Sequence, residues 1–386
     1  MKKRHSVFAI SILFGLNSLF ADILYEGARS VIPPYLQEFG LSLVAVGFIV
    51  GLAEFIGYAV RLLSGYFLDR WKLYWTFLVI GYLGTITVPL MGMVTATESL
   101  VLLIFLERIA KGIRSPAKST IISVLVIPEE RGKAFGMIEV LDELGAMLGP
   151  FILFLVFLMG NGISFGLRVM FIFYVGVLAL QLFLPYFLYG QFREGLKTAE
   201  SLTDPEMEGS LGSSYWRFVI SISVSFMFTF PIAINLVLSS DFLPLWNIPL
   251  LYLAVHLSDM LSAGIFGRLY RKTNLWVLYF PFILSPITLI LLLSKTEFSV
   301  FVSALALGSI LGIHESAVRA RISDLSPTGS RGRGFGIFYF AMGISSFLSN
   351  FLFSLIETSP LSWLFGIGAI MVQVFALRSI MGQPTQ

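Results

Sequence analysis

Lys111-Gly-Ile-Arg-Ser-Pro-Ala117 returns as Leu311-Gly-Ile-His-Glu-Ser-Ala317, and Arg131-Gly-Lys-Ala-Phe-Gly136 returns as Arg331-Gly-Arg-Gly-Phe-Gly336, both at an offset of 200 residues. The shared register pairs Gly112 with Gly312, Ala117 with Ala317, Ser123 with Ser323 and Phe135-Gly136 with Phe335-Gly336. One offset held across two apolar runs and the polar loop between them marks an internal duplication. The runs on either side are long enough to be measured against a bilayer, which a helix crosses in about 20 mostly apolar residues. That ruler places spans at 7–30, 43–68, 73–94, 99–123, 134–159 and 165–189, then at 215–238, 247–267, 275–293, 298–321, 334–356 and 360–379. The fourth and fifth spans are thus equivalent to the tenth and eleventh, so each half holds six helices. Six is even, so the halves share one orientation as a parallel repeat.

The expected fold is therefore an all-α polytopic membrane protein, with twelve transmembrane helices in two parallel six-helix pseudo-repeats. Residues 1–190 form an N-terminal bundle, 191–214 a cytoplasmic linker and 215–386 a C-terminal bundle. The polar linker carries Lys197, Glu200, Asp204, Pro205, Glu206 and Glu208. Pro244 and Pro249 interrupt the apolar pattern between the seventh and eighth spans, so the pattern alone allows eleven or twelve spans and the repeat selects twelve. Met1-Lys-Lys-Arg4 before an apolar run has the form of a signal-peptide start, but no small-residue cleavage site follows, and it reads as an uncleaved first span.

Composition agrees with a membrane protein. Hydrophobic residues make up 56% and charged residues 13% of the chain, where soluble domains carry about 25% charged. With no cysteine, thiol nucleophiles, disulfides and thiolate metal sites are excluded. The net charge of +3 does not imply nucleic acid, because the basic residues sit in short loops. On one side these are Arg70 and Lys72, Arg131 and Lys133, Arg193 and Lys197, Arg268, Arg271 and Lys272, Arg331 and Arg333. The other side carries Glu38, Glu98, Asp241, Glu297 and Glu357, with Lys295 as the basic exception. This positive-inside bias puts both termini in the cytoplasm and the chain in the cell (inner) membrane.

Gly65-Tyr-Phe-Leu-Asp69-Arg70-Trp-Lys72 sets a glycine, an aspartate and basic residues in the loop after the second span. It resembles the loop signature of the major facilitator superfamily, without the Gly-Arg continuation, and the resemblance covers essentially the whole chain. Its second-half counterpart, Gly264-Ile-Phe-Gly-Arg268, has arginine where the acid would fall. Arg108-Ile-Ala-Lys111-Gly112 resembles the fourth-span motif whose arginine is linked to proton coupling. Gly145-Ala-Met-Leu-Gly149-Pro150 resembles the antiporter motif, with Leu153 and Phe154 in place of its trailing glycines. Asp22 to Pro34, with Gly51-Leu-Ala-Glu54, looks like a prokaryotic efflux-type subgroup. The resemblance implies alternating access, with Gly65, Asp69, Arg70, Gly145, Gly149 and Pro150 in gating and contacts between the halves. Taken alone, Gly145 and Gly149 lie four apart on one helix face and equally permit close helix packing, and Pro150 frees a carbonyl.

Ionisable residues deep in a span are expensive in lipid and normally face a partner or water. Asp22, Glu26 and Arg29 occupy the first span, Glu54 and Arg61 the second, and Glu107, Arg108, Lys111, Arg114 and Lys118 the fourth. Lys111, Arg114 and Lys118 follow helical spacing as a basic stripe, which Glu139, Asp142 and Glu143 of the fifth span can answer. Two readings stay open: static ion pairs, or a network in which protonation of an acid releases a base. Arg108 and Asp142 are the preferred members of such a switch. The second half offers Asn235, His256, Asp259, His314 and Glu315 as substrate-cavity residues. His256 and Asp259, three apart on one face, could form a proton-relay pair or, with His314, begin a metal site, but the ligand spacing is not compact and no metal is expected.

The function this supports is secondary transport, and the resemblance implies most specifically proton-coupled antiport exporting a small organic or amphipathic compound, with no cofactor and no enzymatic activity expected. The partners are a small-molecule substrate, protons and the lipid bilayer, without nucleic acid, and one chain suffices as a functional monomer. Transport of an anionic metabolite or a divalent metal is the alternative within the class. A non-transporting membrane interaction protein is the alternative outside it. No Walker or HExxH motif points to enzymatic chemistry.

Overall fold

The computed structural model describes residues 6–200, 210–229, 231–293, 296–327, 331–357 and 362–381. Among these residues the elements are helices, without a strand. Nine stretches are long and apolar enough to cross a bilayer: α1 (Val7–Arg29), α2 (Leu43–Leu68), α3 (Tyr74–Met91), α5 (Lys133–Leu158), α6 (Ile163–Leu196), α7 (Ser213–Ser240), α8 (Asn247–Tyr270), α10 (Glu297–Leu325) and α11 (Arg333–Leu355). Two shorter apolar helices are α9 (Trp276–Leu291) and α12 (Gly366–Met381). The twelfth, α4 (Thr97–Leu125), is 29 residues long and differs in carrying the charged cluster from Glu107 to Lys118. Twelve helices and the all-α class thus match the sequence expectation. Pro244 falls in the loop after α7, and Pro249 lies in the first turn of α8, where no intrahelical donor is lost.

The chain divides into two compact units. One holds α1 and, from Ile56 onward, α2 to α6; the other holds Ser30–Phe55 and α7 to α12.

In the first unit, α5 packs along α1 at glycine contacts. A Cβ on Gly145 would overlap the backbone of Leu19, and one on Gly149 would overlap Ile23 O and Gly27 N. Gly112 brings α4 against Gly57 and Val60 of α2. One turn on, Pro116 lies inside α4. Having no N–H, it leaves Gly112 O without its intrahelical donor. Ser64 of α2 supplies one, its Oγ donating to Gly112 O at 2.9 Å. Ser64→Ala is expected to strand this buried carbonyl and lower stability by about 1–3 kcal/mol. Thermal unfolding in detergent checks this, and a variant as stable as the wild type would show that the bond is dispensable.

The duplicated register recurs in the geometry of the second unit. Gly312 seats α10 against Asp259 O and Ala263 N of α8, repeating the contact of Gly112 with α2. Ser316 stands where α4 has Pro116, inside a π-turn at His314–Val318, and its Oγ donates to Gly312 O at 2.6 Å. The same carbonyl is therefore satisfied in both halves by different hydroxyls. Ser349 takes the place of Gly149 and donates to Thr229 O at 2.7 Å.

α7 is interrupted between Met227 and Ile232. Irregular backbone at membrane depth requires protein partners, and here they are polar side chains of α9, α11 and α12. Gln373 Nε2 donates to Ser225 O and Ser285 Oγ, both at 2.9 Å, and Ser285 Oγ donates to Phe228 O at 3.3 Å. The N-terminal half of α2 also packs in this unit, with Gly47 and Gly51 against Phe347, Asn350 and Ser354 of α11.

Candidate functional site

The charged residues of the first unit converge where α1, α4 and α5 meet. Helical spacing puts Ser18, Asp22, Tyr25, Glu26 and Arg29 on adjoining faces of α1, and Glu107, Arg108, Lys111, Arg114 and Lys118 over three turns of α4. Their pairing is stepwise. Lys118 Nζ donates to Asp142 Oδ2 at 2.8 Å and to Ser18 Oγ at 2.5 Å. One turn along, Arg114 Nη2 lies 3.9 Å and Lys111 Nζ 4.0 Å from Asp22 Oδ1. Lys111 Nζ also donates to Glu26 Oε1 at 3.2 Å, and Arg29 Nη1 donates to Glu26 Oε2 at 3.3 Å. Arg108 Nη1 is 3.6 Å from Glu107 Oε2 and donates to the Tyr25 hydroxyl.

The contacts differ in kind. Lys118–Asp142 is a direct, charge-assisted hydrogen bond, whereas Asp22 is shared by two cations beyond hydrogen-bond distance. Asp22 and Asp142 keep 16% and 21% of their side chains accessible, while Glu107 and Arg108 are closed off at 3% and 4%. The two aspartates are the network's accessible acids, and the Glu107–Arg108 pair is its sealed end.

Aromatic rings form the remaining wall. Lys111 Nζ lies 3.1 Å from the Tyr25 ring centroid, with the Arg108 and Arg29 guanidinium carbons at 4.7 and 5.3 Å. The Arg114 guanidinium carbon lies 4.9 Å from the Tyr82 centroid, and the Tyr82 hydroxyl is 3.2 Å from Ser18 Oγ. Gln181 of α6 donates to Asn17 of α1 at 2.8 Å just beyond the cluster.

The structure therefore brings together Asp22, Glu26, Arg108, Lys111, Arg114 and Asp142 from the sequence-based set. It pairs Asp142 with Lys118, and Arg108 with Glu107 and Tyr25. Glu139 is exposed on α5, and Arg61 sits 5.8 Å from the Tyr58 ring on its own helix. Glu54 is half-buried on the stretch of α2 that belongs to the second unit. A Cβ on Gly65 would meet nothing within 4 Å, so no close contact demands glycine there. Arg70 is exposed, and the side chain of Asp69 lies outside the described residues. Pro150 lies inside α5, one residue past the Gly149 contact.

In the second unit the sequence-based residues have the following neighbours. Asn235 is buried, and its Oδ1 accepts a bond from Ser239 Oγ at 3.0 Å on the same helix. His256 packs on Tyr252 at 4.9 Å, and Asp259 is buried where α10 crosses α8. His314 lies against Phe226 at 5.3 Å, and Glu315 forms an exposed pair with Arg319 at 3.5 Å. The ligating atoms of His256, Asp259 and His314 do not gather within 4.8 Å of one another.

Sequence reasoning included Lys118 only as part of the stripe and passed over Tyr25, Tyr82 and Ser18. Tyr25 was open to detection, since it lies between two intramembrane acids on the same face. Tyr82 carries no neighbouring charge and gave no signal.

Eleven apolar helices and the charged α4 among the described residues, in two six-helix repeats with the charge network confined to one of them, define a multi-pass membrane protein of the transporter class. Residues 11–350 match the model of the Major Facilitator Superfamily, and the chain belongs to that family. It is 29% identical over 381 residues to an uncharacterised protein of Mycobacterium tuberculosis, covering 95% of this chain and 89% of the relative. An uncharacterised MFS-type transporter of Methanocaldococcus jannaschii is 25% identical over 365 residues, covering 86% and 85%. Among solved structures, the nucleoside transporter NupG superposes with a TM-score of 0.76 at 14% identity, over 96% of this chain and 99% of that one. A D-xylose–proton symporter gives 0.68 at 14% identity, over 99% and 100%. The chain is a secondary transporter with the fold of this family.

Proposed function

We propose that the protein is a proton-coupled antiporter of the inner membrane, with both termini cytoplasmic, that exports a small organic or amphipathic compound as a monomer. The observation that carries this reading is the graded acid–base network, above all the accessible Asp22 held between Lys111 and Arg114 without a hydrogen bond to either. A carboxylate held only by charge at 3.9–4.0 Å can be neutralised by a proton without breaking a hydrogen bond to either base. Once Asp22 is neutral, Lys111 and Arg114 repel one another more strongly and α1 and α4 lose part of their attraction. That is how a proton can bias one arrangement of the helices over another. Asp142 is the second exchangeable acid, and its release also frees Lys118. The work is movement of a solute, with no covalent step.

Transport of an anion ranks second. The basic stripe would attract one, but Lys111, Arg114 and Lys118 each already face a carboxylate that the anion would have to displace.

The test is proton release or uptake by the purified protein in detergent, on adding lipophilic cations, organic anions and divalent metals in turn. Asp22→Asn and Asp142→Asn variants run alongside. The expected result is proton release on binding of one class, reduced by at least half in either variant. Clear binding of a compound without proton exchange, in all three proteins, would overturn proton coupling.

A further inference from the structure

We infer that Tyr25 is a positioning residue of the coupling network: its ring is an alternative partner for Lys111 when the acids of α1 take up a proton. The inference rests on the proton-coupling reading above and adds to it an aromatic group with no charge of its own. Tyr25 lies between Asp22 and Glu26 on α1 and is 4% exposed. Lys111 Nζ lies 3.1 Å from the ring centroid while still donating to Glu26 at 3.2 Å, so one ammonium touches both the carboxylate and the ring. The hydroxyl accepts from Arg108, which orients the ring from its polar end.

The physical problem this solves is general to buried ion pairs. Neutralising one member leaves the other as an uncompensated charge, a heavy penalty in a low-dielectric site. A ring face attracts a cation through its quadrupole and does not titrate with the carboxylate. Protonation of Glu26 or Asp22 therefore leaves Lys111 with a partner already in contact. The ring makes the protonated state accessible, and because Lys111 leans fully on its face once the carboxylate is neutral, it raises the proton affinity of the acids.

The charged groups facing this ring and the acids beside it are Asp22, Glu26 and Arg29 from α1, Glu107, Arg108, Lys111, Arg114 and Lys118 from α4, and Asp142 from α5. Tyr82 faces them from α3, and α6 presents the uncharged Gln181. Glu26 and Lys111 are the pair whose balance the ring adjusts most directly. No other ring lies over Lys111 among the described residues.

The experiment needs only protons as the probe. Proton binding by the purified full-length protein is titrated in detergent between about pH 5 and pH 9 for wild type, Tyr25→Phe, Tyr25→Leu and Asp22→Asn. Tyr25→Leu is expected to weaken proton affinity about 3- to 30-fold, moving the uptake midpoint to lower pH by about 0.5–1.5 units, the range of a desolvated cation–π contact. Tyr25→Phe keeps the ring face and is expected to restore most of that affinity, which a merely space-filling role would not require. Equal midpoints in Tyr25→Leu and wild type, with Asp22→Asn lowering proton uptake, would overturn the role of the ring and leave the coupling reading standing. If Asp22→Asn also titrates as wild type, the coupling reading fails with it. If Tyr25→Phe titrates like Tyr25→Leu, the hydroxyl and its bond to Arg108 carry the effect, and the ring inference is overturned. Thermal unfolding of each variant in the same detergent confirms that the titrated proteins are folded.

Discussion

Replacing Lys118 with methionine is expected to abolish proton-coupled transport and to destabilise the protein by about 1.5–3 kcal/mol, the worth of a hydrogen bond between charged groups. Lys118 is the only base bonded directly to Asp142 among the described contacts, at 2.8 Å, and it also holds Ser18 of α1. It thereby ties α1, α4 and α5 at one point. Without it, Asp142 loses its direct basic partner in a site where Oδ1 already has no hydrogen-bond partner. The double variant Lys118→Met, Asp142→Asn removes both charges and is expected to recover most of the stability while remaining inactive. This separates the energetic role of the pair from its role in coupling. Unfolding midpoints in detergent measure the first, and proton release with the compound class that responds in wild type measures the second. A Lys118→Met protein as stable as wild type would show that Asp142 reaches solvent freely and that the pair does not hold the three helices together.

The fold was legible because its signal is long-range and redundant. Twenty-residue apolar runs and the match of Gly112 with Gly312 survive local noise, and each glycine is fixed by the same backbone approach in its own half. The intramembrane charges were legible as a set for a related reason: each is costly alone, so their presence demands partners. The pairing was not legible. Helical spacing places Lys111, Arg114 and Lys118 on one stripe, but the rotation of α4 against α1 and α5 decides which acid each meets. That rotation depends on glycine contacts along whole helices. Hence Asp142 meets Lys118, while Arg108, singled out by motif resemblance, turns to Glu107 and Tyr25. In the second unit the charged positions lose their charge. Arg108 corresponds to Gly308, Lys111 to Leu311, Arg114 to His314 and Lys118 to Val318. At the offset of 200, Glu26 corresponds to Phe226, which meets His314. Duplicated positions kept their packing while their chemistry diverged, so the cluster of charges across α1, α4 and α5 has no counterpart at the equivalent positions of the second unit.

That divergence decides how the Gly145–Gly149 motif is to be tested. Gly149→Ala is expected to cost about 1–3 kcal/mol or more, an overpacking effect, because the added Cβ would lie 2.7 Å from Gly27 N and closer still to Ile23 O. These are backbone atoms and cannot rotate aside. At the equivalent place in the second unit Ser349 is accommodated, with its Oγ bonded to Thr229 O at 2.7 Å. Ser349→Ala therefore loses one hydrogen bond and is expected to cost about 1 kcal/mol with no steric penalty. The comparison separates packing from coupling at a motif where the sequence left both open. A Gly149→Ala protein that is destabilised, yet releases protons normally at low temperature where it stays folded, assigns the glycine to packing. A protein of wild-type stability that binds its compound without releasing protons assigns it to coupling, and shows that the α1–α5 contact loosens during the transport cycle. The first outcome is expected. Gly149 lies against Ile23 and Gly27, either side of Tyr25 and Glu26, so shifting α1 there would displace the charge network only as a consequence of failed packing.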